Sequence, residues 1–158
     1  VHVSAQKEGI LIRQLRQQGY RGLIFAAFTF ESDDVKNSGG SALEGVLYTY
    51  PVEALQGGDY KKFREQYFER FKSEPQATSA IAFDGIQLLD RAITECKKGD
   101  NSRSCIADYF ARLGTFNGLG GRVIFGSDRS ALRPYGLKEF KGGTYHWVEK
   151  ELPRWDGS

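Results

Sequence analysis

The chain has 158 residues, 40% hydrophobic and 27% charged, and Lys+Arg 22 against Asp+Glu 20 leaves a net charge of +2. A balance this even offers no basic patch for nucleic acid or acidic lipid, and no run approaches the ~18 consecutive apolar residues of a membrane span. The length allows one domain with a sizeable core, for which 11 Phe and 8 Tyr supply rings that can also line a small-molecule cleft.

Residues 1–4 read as the end of a strand, with Ser4 as the N-cap of a helix over 5–18. Ile10, Leu11 and Leu15 form its inward stripe and Gly19 its C-cap. The opening has no initiator Met and no leader, so the expectation is a mature fragment. "GLIFAAF" at 22–28 is a continuous apolar run, as in a strand covered on both faces. "FESDDVKNSGGSA" reads as loop with one short helical turn, and "EGVLYTYP" at 44–51 as a second buried strand stopped by Pro51.

Three helices follow. Residues 59–73 start at Asp59 and carry Tyr60, Phe63, Tyr67 and Phe71 at spacings of three and four, a one-sided aromatic stripe expected to pack in the core. Residues 78–97 form the most apolar helix, with Ile81, Ala82, Ile86, Leu89, Ala92, Ile93 and Cys96 inward, widened by Phe83 and Leu88. Residues 104–113 form a third, ending at Gly114. The tail loses the helical period and reads as short strands at 121–126, 135–140 and 144–149, the last two a hairpin, then a loose end over 151–158.

Cys96 and Cys105 enclose the polar run "KKGDNSRS". A metal site would need more ligands and nearby histidine, whereas His2 and His146 sit near opposite ends. A disulfide closing a helix-to-helix connection fits the spacing and would place the protein outside the cytosol; two unpaired, half-buried thiols are the alternative.

No catalytic constellation emerges, and the reading is a non-enzyme with no cofactor. No G-x-S-x-G elbow is present, and His146 alternates in a strand as a surface or sheet-packed residue. "NGLGG" at 117–121 opens onto a strand rather than a helix, which makes it a turn rather than a phosphate cradle. Asp33-Asp34 read as helix-start residues without further metal ligands. Position is more informative. In open parallel sheets ligands gather outside the carboxyl ends of strands, here Ser4-Ala5, Phe28-Thr29-Phe30-Glu31 and Tyr48-Thr49-Tyr50, and helix starts near Ser4 and Thr78-Ser79 offer free N–H groups.

The succession of "SALEGVLYTYP", "FREQYFERFKSEPQATSAIAFDGIQLLDRAI" and "FNGLGGRVIFGSDRSALRPYGLKEFKGGTYHWV" resembles the type I periplasmic binding proteins, in particular the branched-chain amino acid (Leu/Ile/Val) substrate-binding components of ABC transporters. The likeness rests on Glu44-Gly45 opening a strand, Pro75 followed by Phe83-Asp84-Gly85, Gly118-Gly121-Phe125, and a closing hairpin from Tyr135 to Val148.

The resemblance implies an α/β fold made of parts of two Rossmann-like lobes joined by hinge segments, this chain being the C-terminal half. Residues 1–27 would belong to the second lobe, 28–127 to the first, and 128–158 would return to the second. It implies a periplasmic, non-catalytic protein that traps a small solute between its lobes. Its partners would be the missing N-terminal half, or a second copy of the chain, and an ABC transporter permease.

Family contacts carried over by position fall at Ser4, Phe28 and Thr78, and the strand-end argument adds Thr29, Glu31 and Tyr50. Amino-acid binders of the family place an acid for the ligand's ammonium where Phe28 stands; Glu31 could substitute if the loop turned it inward. A buried ammonium without a counter-charge is costly, so an aromatic or aliphatic carboxylate fits at least as well. The alternatives are a ligand-sensing receptor domain, or a self-sufficient small α/β interaction module or hydrolase.

Overall fold

The computed structural model describes residues 5–52, 54–55, 59–96, 103–128 and 130–149. The elements in chain order are α1 (Ala5–Gln17), β1 (Phe25–Ala26), a 3-10 turn (Phe28–Phe30), α2 (Asp33–Gly39), a second 3-10 turn (Gly40–Leu43), β2 (Leu47–Pro51), α3 (Tyr60–Phe71), α4 (Ala77–Cys96), α5 (Arg103–Arg112), β3 (Thr115–Gly118), β4 (Gly121–Phe125), β5 (Ala131–Leu132), β6 (Tyr135–Lys141) and β7 (Thr144–Glu149). The expected strand at 1–4, its cap Ser4 and the end at 151–158 lie outside the described residues.

The chain parts into two compact units after Val52 and again after Pro134. β2 hydrogen-bonds in parallel to β1 and antiparallel to β6, which ties residues 28–52 to the helix and hairpin flanking them in sequence.

The first unit is a four-stranded sheet in the order β1-β2-β6-β7, with α1 packed on α2. Gly9 sets the approach of these helices, since a Cβ there would overlap the Val35 carbonyl and lie 2.8 Å from the Gly39 nitrogen. Helix α1 ends as its sequence predicts. Gly19 takes φ +87°, and the Tyr20 and Gly19 N–H groups donate to Leu15 and Arg16 carbonyls. Ile12, however, is its buried apolar residue, and Ile10 is exposed.

Strand β1 is two residues long rather than seven, with Leu23 and Phe25 exposed. Among the described residues β1 has one hydrogen-bonded neighbour, β2. The stretch read as loop with one short helical turn holds the seven-residue α2, where the Ser32 hydroxyl accepts from the Val35 N–H and Asp33 and Asp34 occupy the first turn as expected. Glu44 holds the β6–β7 hairpin by accepting from the N–H groups of Gly142 (2.9 Å) and Gly143 (3.0 Å). Phe30, Val35, Leu43, Val46, Tyr48 and Phe140 form the buried centre.

The second unit holds α3, α4, α5 and the antiparallel sheet β3-β4-β5. Two of its strands were not legible: β3 lies in the turn-like "TFNG" and β5 is two exposed residues. The buried stripe of α4 is Ala77, Ala80, Asp84, Leu88, Ala92 and Cys96 at spacings of three and four; Leu88, Ala92 and Cys96 are as expected, and Ala77, Ala80 and Asp84 were not. Phe83, Ile86 and Leu89 are exposed, and α3 buries none of its residues fully. Its aromatic stripe is half-covered: Phe63 stacks on Phe83 and Tyr67 on Phe71.

A buried carboxylate organises this unit. Asp84 accepts from the N–H groups of Leu119 (2.9 Å) and Gly120 (2.6 Å), at the β3–β4 turn. The Gly-rich turn therefore does cradle an anion, and that anion is the protein's own.

Cys96 and Cys105 are disulfide-bonded, tying the end of α4 to α5 across a sequence separation of 9. In the chain-entropy account so short a loop contributes ~2–3 kcal/mol. Reduction, or the C96S/C105S variant, is expected to lower the unfolding midpoint of this unit by a matching amount, read by denaturant titration with and without reductant.

Candidate functional site

The carboxyl end of β1 runs directly into the Phe28–Phe30 turn. Phe28 and Thr29 are half-buried there, while Phe30 is fully buried against the Tyr48 and Phe140 rings. Tyr145 closes the same cluster and donates from its hydroxyl to the Ser32 carbonyl (3.3 Å).

Glu31 follows the turn and does point inward. Its Oε2 accepts from the Tyr48 hydroxyl and pairs with the Lys138 ammonium. Lys138 is 7% exposed, and its Nζ lies 4.4 Å from the Tyr50 ring centroid and 5.1 Å from that of Trp147. A buried ammonium ringed by aromatic faces and one carboxylate satisfies both requirements for burying charge, a counter-ion and favourable electrostatics at the ring faces. Strand register assembles the group: Lys138 is the cross-strand partner of Tyr48 on one side and Trp147 on the other. The β6–β7 register shifts between Leu137 and Lys138, an irregularity of the kind that re-aims a side chain.

The phenols feel this environment. Burial first, then the hydrogen bond and charge of Glu31, raise the Tyr48 pKa far above the ordinary phenol value. Burial and the Glu31 charge push Tyr145 up to about 12. Both groups hold their proton more tightly folded than unfolded. Their stabilisation is thus complete below pH 10; that of Tyr145 is lost as pH rises through about 12, and that of Tyr48 only at higher pH. An alkaline loss of stability beginning near pH 10 is expected, and Y145F should make it shallower, checked by urea midpoints across that range.

Of the residues singled out by sequence, Phe28, Thr29 and Glu31 share one turn, and Tyr50 joins Glu31 around Lys138. Thr78 is exposed in the first turn of α4, in the second unit. Ser4 lies outside the described residues. Sequence reasoning missed Lys138, Tyr145 and Trp147, and placed Tyr48 at a strand end without its partner. A signal for Lys138 existed: it shares strand parity with the buried Gly136 and Phe140, where a lysine breaks the inward apolar pattern.

His146 is exposed, its Nε2 2.6 Å from the Thr144 hydroxyl. Among the described residues no three His, Cys, Asp or Glu side chains are grouped to hold a metal, and no helix is long and apolar enough to cross a membrane.

The sequence model of a family described as "Periplasmic binding protein" matches residues 8–144. The chain belongs to the periplasmic binding protein family. The Leu/Ile/Val-binding protein homolog 2 of Brucella abortus is 27% identical over 150 residues, covering 90% of this chain and 38% of its own length. The leucine binding protein LivK from Thermotoga maritima superposes with a TM-score of 0.71 at 29% identity, over 90% of this chain and 41% of its own. A solute binding protein from R. palustris, solved in complex with benzoate, shares the fold with a TM-score of 0.67 at 19% identity, over 96% of this chain and 41% of its own. This periplasmic binding protein chain thus spans well under half the length of these relatives.

Proposed function

We propose that the chain is part of the extracytoplasmic solute-binding component of an ABC-type uptake system, its two units being parts of the family's two lobes. It holds a small carboxylate or related solute without transforming it. The turn at the carboxyl end of β1 presents Phe28 and Thr29, with Tyr50 on the adjacent strand. Family membership and the opening of this turn at a strand's carboxyl end support the reading.

The ligand class follows from one observation. The turn's carboxylate, Glu31, is already paired with Lys138. Phe28 brings an apolar ring and no charge. The arrangement suits an apolar tail bearing a carboxylate, and the benzoate in the R. palustris protein of the same fold is in keeping with this reading.

The test is calorimetry on the whole gene product with a panel of branched-chain amino acids and aliphatic and aromatic carboxylates. At least one carboxylate is expected to bind one-to-one and be recovered unchanged, with F28A and T29A weakening it tenfold or more. No binding across the panel, or conversion of the solute, would contradict the proposal.

A further inference from the structure

We propose that Lys138 sets the solute specificity of this protein by serving as a built-in ammonium, so that solutes bearing an amine are rejected in favour of their deaminated counterparts. The inference rests on the solute reading above and adds to it the residue that decides between ligand classes.

A solute whose ammonium is withdrawn from water needs a carboxylate partner. At the turn after β1 that partner would be Glu31, whose side chain retains 23% of its exposure. The chain satisfies it internally. Two donors, the Tyr48 hydroxyl and the Lys138 ammonium, converge on Glu31 Oε2. A second ammonium arriving there meets no uncompensated negative charge and is repelled by Lys138, and this repulsion is strong where water is scarce. A carboxylate or neutral solute suffers neither penalty. Lys138 cannot easily yield its place, since it sits mid-strand between Tyr48 and Trp147 with its head group against the Tyr50 ring.

Removing the ammonium should reverse the preference. In K138M the stem volume is largely kept, while Glu31 faces an empty ammonium position bounded by Tyr50, Trp147 and Tyr145. Such an aromatic box with an acid receives an alkylammonium well.

The experiment measures, on the whole gene product, the affinity ratio within matched pairs: 4-methylpentanoate against leucine, and 3-phenylpropanoate against phenylalanine. Wild type is expected to favour the deaminated member at least tenfold. K138M should lower that ratio at least tenfold, K138R should keep it, and E31Q/K138M should restore it, because the acid that attracts the amine is gone. A lysine that merely supported the fold would weaken both members of a pair alike and leave the ratio unmoved. Wild type preferring the amino acids overturns the inference whether or not any variant folds, as does an unchanged ratio in folded K138M. Failure of all four solutes to bind counts against the solute reading itself, and this inference falls with it.

Discussion

Replacing Lys138 by methionine is expected to destabilise the first unit by about 2–4 kcal/mol, among the largest losses available to a single change there. The magnitude comes from breaking a buried ion pair on one side only, which typically costs 3–5 kcal/mol because the surviving charge stays buried. The lower end applies here, since the Glu31 side chain keeps 23% exposure and can recruit water. Tyr48 continues to donate to Glu31 after the substitution, which also limits the loss. Removing both charges in E31Q/K138M should recover at least half of the cost, as pairs removed together leave no orphan. The single and double variants, unfolded in urea, form a thermodynamic cycle that isolates the coupling. A loss below ~1 kcal/mol for K138M would mean that the pair is solvated rather than buried.

Asp84→Ala is expected to cost the second unit about 3 kcal/mol. Asp84 is 3% exposed, and its carboxylate is the partner of two backbone N–H groups at Leu119 and Gly120. Hydrogen bonds to a charged acceptor contribute ~1.5–3 kcal/mol each, and unsatisfied buried donors carry a desolvation cost of similar size. Asp84→Asn should cost less, about 2 kcal/mol, because one carbonyl oxygen remains to accept while the new amide opposes the second N–H. Arg133, which donates to the Gly120 carbonyl at 2.7 Å, holds the same turn from the other side. Loss of amide protection at Leu119 and Gly120 in the Ala variant, ahead of global unfolding, would mark the turn as the site of the damage. Unchanged protection would show that the cradle does not depend on this carboxylate.

The helices were legible because their signals are local. Gly19 stops α1 and Pro75 follows α3, so both ends fell within two residues of expectation. The β6–β7 hairpin was equally plain from Gly142-Gly143. What escaped the sequence depends on partners far along the chain. An apolar run cannot say how many neighbours its strand has, so β1 was read too long. Residue type alone cannot say which side of α4 faces β3 and α5; the buried position of Asp84 selects that side, and the Gly-rich turn it serves is 35 residues away. The pairing of β2 with β6, which joins residues 47–51 to residues 135–139, likewise depends on distant partners.

The candidate site was half legible. Strand-end reasoning found Phe28, Thr29, Glu31 and Tyr50. It left open whether Glu31 was available to a ligand, because the answer lies in Lys138, 107 residues later. The lysine's inward strand parity was visible, but its partner was not. Family likeness pointed to an acid at the position of Phe28; the chain instead offers an acid three residues on, already neutralised.

The most direct test of the whole account is a crystal structure of the gene product with its tightest-binding carboxylate. The account predicts the solute, chemically intact, against Phe28, Thr29 and Tyr50, with the Glu31–Lys138 pair unbroken beside it. A solute seated away from the turn after β1, or one whose own ammonium has displaced Lys138 from Glu31, would contradict it.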